Sequence, residues 1–142
     1  MLISSILRRK GGAVVTVPPQ STVTDLLALL SEQNIGAVVV SEDGESIAGI
    51  VSERDVVRHL YQSGPAVLTK PVSAIMTATV RTCGPDANVE DLRHIMTDHR
   101  IRHVPVVDEG HLAGIVSIGD VVKSAIEELE AEKAHLVGYL HG

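Results

Sequence analysis

The sequence predicts a mixed α/β (α+β) fold, built from two pseudo-twofold-related β-α-β-β-α units packed sheet to sheet. The segment "GIVSERDVV" at 49–57 returns as "GIVSIGDVV" at 114–122. Upstream, "STVTDLLALLSEQNIGAVVV" aligns with "ANVEDLRHIMTDHRIRHVPV", 66 residues later. Apolar residues make up 44% of the 142 residues, which suits a globular chain whose two small halves share a core.

Each copy has recognisable element boundaries. Thr22 and Asn88 are N-cap residue types, and the apolar residues that follow them recur at helical spacing. "AVVV" and "HVPVV" are typical of strands, and each leads through an acidic, glycine-containing turn into "GIVS". Ser52 and Ser117 then open the second helix of each copy. The predicted division is repeat 1 at 1–60, a linker at 61–71, repeat 2 at 72–124 and a C-terminal helical extension at 125–142.

The composition and charge argue against several classes of protein. The net charge is −6, with no Trp or Phe and only two Tyr, so nucleic acid is an improbable partner. Cys83 is the single cysteine and forms no intramolecular disulfide, and it is best interpreted as a small buried apolar side chain. The N-terminus lacks signal-peptide order, and no apolar run is long enough to span a bilayer. These observations predict a cytoplasmic protein that does not enter membranes.

The Ser-x-x-Asp of "SERD" and "SIGD" has two interpretations. It forms a capping box, in which both side chains only satisfy the helix start. The same geometry suits a nucleotide, because free backbone N–H groups attract phosphate and a carboxylate accepts hydrogen bonds from ribose hydroxyls. The two interpretations are compatible with each other.

The paired "GIVSxxD" endings, the "PVSAIMT" opening of the second copy and the hairpin "RIRHVPVVDEGHLAGIVS" resemble a tandem pair of CBS domains. The likeness runs from about residue 4 to residue 124, and the chain looks like the small stand-alone bacterial CBS-pair proteins. The resemblance implies that each pocket is shared between the repeats and binds the ribose-phosphate part of an adenosyl ligand. It also implies a homodimer and a regulatory role, in which the effect of the ligand is detected by a separate effector protein or by the dimer itself.

Carried over by position, the resemblance gives two unequal pockets. The first pairs Ser52, Arg54 and Asp55 with Thr79, Val80, Arg102 and His103, and its positive charge predicts AMP, ADP or ATP as ligand. The second pairs Ser117 and Asp120 with Ala13, Val14, Gly36 and Ala37. It has Gly119 in place of Arg54, so it is expected to lack nearby positive charge. We expect it to be empty or to take a less anionic adenosyl ligand; NAD and S-adenosylmethionine are also possible ligands.

No enzyme signature is present, so the chain is predicted not to be an enzyme and to require no cofactor. An acid–base pair of Asp55 and Asp120 is disfavoured, since equivalent environments would not separate their pKa values. His99 and His103 are four residues apart, but the span crosses from a helix end into a strand. They are therefore predicted to interact with the helix end and line the pocket, not to bind a metal.

Overall fold

The structure is a computed structural model that describes residues 1–11 and 14–141. The first half contains α1 (Ile3–Lys10), β1 (Thr16–Val17), α2 (Val23–Gln33), β2 (Ala37–Val40), β3 (Gly49–Ser52) and α3 (Glu53–Ser63). Two 3₁₀ turns, Gly64–Thr69 and Val72–Ala74, form the connection. The second half contains α4 (Val89–His99), β4 (His103–Asp108), β5 (His111–Ser117) and α5 (Ile118–His141). The mixed α/β class with two repeats is confirmed.

The two halves differ in their first strand. In the first half, β1 pairs in parallel with β2, and β2 pairs antiparallel with β3. In the second half, β4 and β5 form an antiparallel pair, and the only pairing equivalent to β1 within the described residues is one parallel bridge between Cys83 and Val106. The opening strand predicted for the second copy is therefore reduced to a single bridge.

The helix starts follow the predicted caps. The Thr22 hydroxyl accepts a hydrogen bond from the Asp25 amide, and the Asn88 side chain accepts one from the Glu90 amide. Ser52 caps α3 in a complete capping box. These side chains satisfy amides that would otherwise lack a partner at a helix start, and they fix where each helix leaves its strand.

Each half has its own apolar core, and the segment that precedes each repeat packs across to the other one. Ile3 and Ile6 of α1 are buried with Val89, Leu92 and Met96 of the second repeat. The 3₁₀ connection and the residue after it reach the first core in the same way, through Val67, Val72 and Ile75. Residues predicted to belong to repeat 1 thus stabilise repeat 2. This exchange brings side chains from both repeats to each cavity.

Two matched glycines permit this exchange. A β-carbon at Gly114 of β5 would lie 2.5 Å from a Leu7 methyl carbon, and one at Gly49 of β3 would lie 2.6 Å from the Met76 sulfur. A β-carbon at Gly49 would also lie 2.8 Å from the Thr77 carbonyl oxygen, so a side chain there would displace that backbone, whereas at Gly114 only the Leu7 side chain is met. Gly49 therefore sets how closely residues 76–77 approach β3, and Gly114 makes room for Leu7 of α1.

Candidate functional site

A cavity of about 660 Å³ lies between the repeats, and we call it the first pocket. Its wall is built from the end of β3, the start of α3, the segment 77–81 that precedes α4, and the turn between α4 and β4. All seven residues that were predicted for it line this one cavity: Ser52, Arg54, Asp55, Thr79, Val80, Arg102 and His103. Its volume falls in the range of small-molecule pockets.

Asp55 and Ser52 are tied together at the start of α3. One carboxylate oxygen of Asp55, Oδ2, accepts hydrogen bonds from the Ser52 amide at 2.9 Å and from the Ser52 hydroxyl at 3.1 Å. The Ser52 hydroxyl oxygen in turn accepts a hydrogen bond from the Asp55 amide at 3.3 Å. Within the described residues the other oxygen, Oδ1, has no hydrogen-bond partner, so the capped carboxylate can still accept hydrogen bonds from a ligand.

The first pocket is strongly cationic. Five arginines line it against two acidic residues, Glu53 and Asp55; the arginines are Arg54, Arg58, Arg81, Arg100 and Arg102. In the part of the chain that the structure describes, none of these arginines forms a salt bridge. Guanidinium groups without a carboxylate partner are well suited to bind phosphate through paired hydrogen bonds.

One of these arginines has an unfavourable backbone conformation. Arg100 ends α4 with φ 54° and ψ 43°, in the left-handed region, where a long side chain is uncommon. The matching position 66 residues earlier holds Asn34, with φ 53° and ψ 49°, and asparagine tolerates that conformation better. Retaining an arginine there at a local cost in stability is consistent with a role in the pocket.

A smaller cavity of about 350 Å³ lies on the other side of the shared wall, and we call it the second pocket. Val14, Gly36, Ala37 and Ser117 line it as predicted, whereas Asp120 is not among its lining residues and Ala13 lies outside the described residues. Gly36 and Ala37, predicted for this pocket alone, line both cavities, and so does His103. A short segment before β2 and the first residue of β4 therefore separate the two pockets.

The expectation that the second pocket lacks positive charge is wrong. The Lys10 ammonium at the end of α1 lies 2.8 Å from the Asp120 carboxylate and 2.8 Å from the Ile115 carbonyl oxygen. Asp120 Oδ2 also accepts a hydrogen bond from the Ser117 amide at 2.9 Å, as Asp55 does from Ser52. The local motif is thus preserved, but its carboxylate is already paired with a cation from α1, which is 110 residues away in the sequence.

The pKa values of Asp120 and His103 both depend on this ion pair. Burial alone would raise the pKa of Asp120, but the hydrogen bonds from Lys10 and from the Ser117 amide outweigh it and lower the pKa. His103 has its pKa lowered, first by burial and then by Lys10, while Asp120 and Glu53 act in the opposite direction. The pKa of His103 therefore depends on charged groups in both pockets.

Other polar groups show no comparable constellation. Among residues 1–11 and 14–141, no three metal-ligating side chains cluster together. His99 and His103 both line the first pocket. Cys83 is half-buried beside the second core, and burial raises the pKa of its thiol to about 11, which disfavours the reactive thiolate. No helix in the described part of the chain is long and apolar enough to cross a membrane.

Several residues that line the pockets were not predicted from the sequence. Arg58 follows Arg54 by one helical turn, so their i, i+4 spacing could have identified it. Arg81 lies two residues after Thr79, and Arg100 is aligned with Asn34, a natural residue for a helix end. Lys10 carried no local signal, because it reaches its pocket only through the packing of α1 on the second repeat.

Comparison with known proteins identifies the family. The model described as "CBS domain" matches residues 3–62 and 72–127. The CBS domain-containing protein CBSX3, mitochondrial, of Arabidopsis thaliana is 35% identical, over 99% of this chain and 72% of that protein. That relative is named as mitochondrial, so a cytoplasmic location for this chain stays a prediction.

Solved structures agree. The CBS-domain containing protein ATU1752 from Agrobacterium tumefaciens is 42% identical with a TM-score of 0.85, covering 88% of this chain and 99% of that one. The CBS domain protein PAE2072 from Pyrobaculum aerophilum, solved in complex with AMP, is 27% identical with a TM-score of 0.74, covering 84% and 89%. From its two matched repeats and these relatives, the chain belongs to the CBS-domain family, as a tandem pair.

Proposed function

We propose that this chain is a regulatory module that senses adenine nucleotides and binds AMP, ADP or ATP in the first pocket. The observation that carries the proposal is a set of five arginines around one capped carboxylate in a single cavity, none of which forms a salt bridge with another described residue. Phosphate and ribose require these two kinds of group, and the relative PAE2072 was solved in complex with AMP.

The geometry suggests how each part of the ligand is held. Asp55 Oδ1 accepts from the ribose hydroxyls, while the arginines face the phosphate. The adenine lies against aliphatic side chains such as Ile50, Ala37 and Val80, because no Phe, Tyr or Trp is among the described residues that line the pocket. NAD and S-adenosylmethionine contain the same adenosyl part and are weaker candidates, since they offer less negative charge to the arginines.

Regulation by such a module requires no chemical step. Both repeats contribute to the first pocket, so a nucleotide that binds one relative arrangement of the repeats better than another shifts the population of arrangements. The change would be detected by a separate effector protein or by a second copy of the chain. We therefore propose a binding and signalling role in place of an enzymatic one.

A homodimer is part of this proposal. Val57 and Tyr61 on α3 are 65% and 91% exposed, and the residues 65 positions later on α5, Val122 and Ile126, are 48% and 50% exposed. Matched apolar residues left exposed on both repeats favour burial against a second copy. Light scattering should give twice the chain mass, and replacing Tyr61 and Ile126 together by arginine should reduce it to a single chain mass.

The alternative is an interaction module whose Ser-x-x-Asp segments only cap helices. One observation favours it, because the capping box at Ser52 is complete without any ligand. The two functions differ in their response to added nucleotide: a capping-only module releases no heat with any adenosyl compound.

Titration calorimetry of the nucleotide-stripped protein tests the proposal. AMP, ADP and ATP should bind, and NAD and S-adenosylmethionine should bind more weakly. Guanosine monophosphate serves as the control for the base, because it shares the ribose and the phosphate of AMP. Silence across the panel would contradict the proposal and favour the interaction module.

A further inference from the structure

Lys10 occupies the hydrogen-bonding position that a second nucleoside would need. Its ammonium donates to Asp120 and to the Ile115 carbonyl oxygen, both at 2.8 Å. Both partners are hydrogen-bond acceptors. The hydroxyl groups of a ribose donate hydrogen bonds, as the Lys10 ammonium does, and so compete for the same acceptors. The carboxylate of the second pocket is therefore satisfied from within the protein, whereas Asp55 of the first pocket has no cation within hydrogen-bonding distance among the described residues.

The difference originates outside the repeated motif. Met76 meets Gly49 of β3 as Leu7 meets Gly114 of β5, so the partners that follow these two contacts can be compared. Lys10 donates to the Ile115 carbonyl oxygen, whereas the matching Ile50 carbonyl oxygen accepts a hydrogen bond from the Thr77 amide at 2.9 Å. Threonine carries no cation, so only the second carboxylate acquires an internal ionic partner.

Lys10 is held in place by the whole of α1. Ile3 and Ile6 are buried in the second core, and Leu7 packs directly on Gly114. Arg9 pairs with Glu127, and the N-terminal amine lies 3.6 Å from Glu128, so both charged groups lie against α5. The ammonium is therefore positioned by a docked helix, and its departure from Asp120 would loosen the last turn of α1.

We propose that Lys10 closes the second pocket, and that an adenosine-type ligand binds there only after its ribose hydroxyls displace the ammonium from Asp120. This inference rests on the proposed function of the pockets. It gives the two pockets an order of filling, since only the second must first break an ion pair. It also makes the last turn of α1 the element that responds to ligand in the second pocket.

Adenosine is the most sensitive probe of this closure. A nucleotide offers its phosphate to the displaced ammonium and recovers part of the lost interaction. A nucleoside offers no such partner and bears the full cost of displacement. Adenosine binding should therefore respond to Lys10 more strongly than AMP binding does.

The test is a titration with adenosine in an Asp55→Ala background, which removes the ribose acceptor of the first pocket. Lys10→Met removes the ammonium but keeps an unbranched side chain, and we expect it to tighten adenosine binding about three- to tenfold. Lys133→Met, on the exposed part of α5, is the control and should change nothing. If Asp55→Ala fails to fold, Asp55→Asn keeps the side-chain acceptor and replaces it.

Equal adenosine affinities for Lys10→Met and Lys133→Met would overturn the proposal, and so would the absence of adenosine binding to Lys10→Met. Hydrogen exchange gives an independent measure: adenosine added to the Asp55→Ala protein should speed exchange of the Leu7 to Lys10 amides. Unchanged exchange at saturation would also overturn it. AMP titration of the wild type against Asp55→Ala decides separately whether the proposed function stands.

Discussion

The two pockets share one motif but differ in charge. In both, a serine amide donates to the aspartate three residues later at 2.9 Å, and the aspartate amide donates back to the serine hydroxyl. Around the first motif lie five arginines, and against the second lies one lysine already paired with the carboxylate. The repeat therefore supplies backbone and caps, while residues around it determine which pocket is free to bind an anion.

The largest expected effect separates the two aspartates. Asp55→Ala should weaken AMP binding about ten- to a hundredfold, because a charge-assisted hydrogen bond is lost. Asp120→Ala should leave AMP binding at the first pocket nearly unchanged. Both variants lose a helix cap, so comparable melting temperatures show that the contrast comes from ligand contacts. Loss of AMP binding in Asp120→Ala alone would mean that the pockets are assigned in reverse.

Exchanging the middle residues of the motif should give a smaller effect. Arg54→Ala should weaken AMP binding about three- to tenfold, since one of five exposed cations is removed. Gly119→Arg places the cation at the matching position of the second pocket, where a β-carbon would meet only the Ser117 hydroxyl at 3.5 Å. It should add a weak second AMP site in calorimetry. An unchanged affinity in Arg54→Ala would remove this residue from the phosphate contact.

Exchanging the helix-end residues should change stability and binding in opposite directions. Arg100→Asn relieves the left-handed conformation and should stabilise the fold by about 0.5 kcal/mol. It should also weaken AMP binding about two- to threefold, because one of the five cations that line the pocket is lost. Urea unfolding and calorimetry measure the two effects, and Asn34→Arg is the converse variant. A stabilised Arg100→Asn with full AMP affinity would show that this arginine has no part in binding.

The smallest expected effect concerns His103 in the shared wall. Its pKa lies below the ordinary 6.5, so the unfolded chain takes up a proton more readily than the folded chain as the pH falls. The contribution of this pKa difference to the free energy of unfolding is fully present above pH 6.5. It is lost as the pH falls through the pKa of His103 in the folded protein. His103→Gln should make the free energy of unfolding less dependent on pH between about 7.5 and 5.5. His94→Gln, on the exposed side of α4, is the control, and equal slopes for the two variants would contradict this origin.

Much of the fold could be predicted because its signals are local. The caps at Thr22, Asn88 and Ser52 and the alignment of the two copies define the helices and strands before any packing is known. The family resemblance then grouped Arg54, Asp55 and Arg102, and the structure places them in one cavity.

The rest could not be predicted, because it depends on contacts between distant segments. Lys10 reaches Asp120 across 110 residues of sequence, through a helix that packs on the opposite repeat. Nothing in "LRRKGG" indicates that packing. The loss of the second opening strand around Cys83 is likewise decided by packing, since the residues themselves are compatible with a strand.

A crystal structure of the protein with AMP would show which pocket binds the nucleotide. We expect AMP in the first pocket, with its ribose on Asp55 and its phosphate among the arginines, while Lys10 remains paired with Asp120. AMP in the second pocket alone, with Lys10 displaced and the arginines unoccupied, would contradict this expectation.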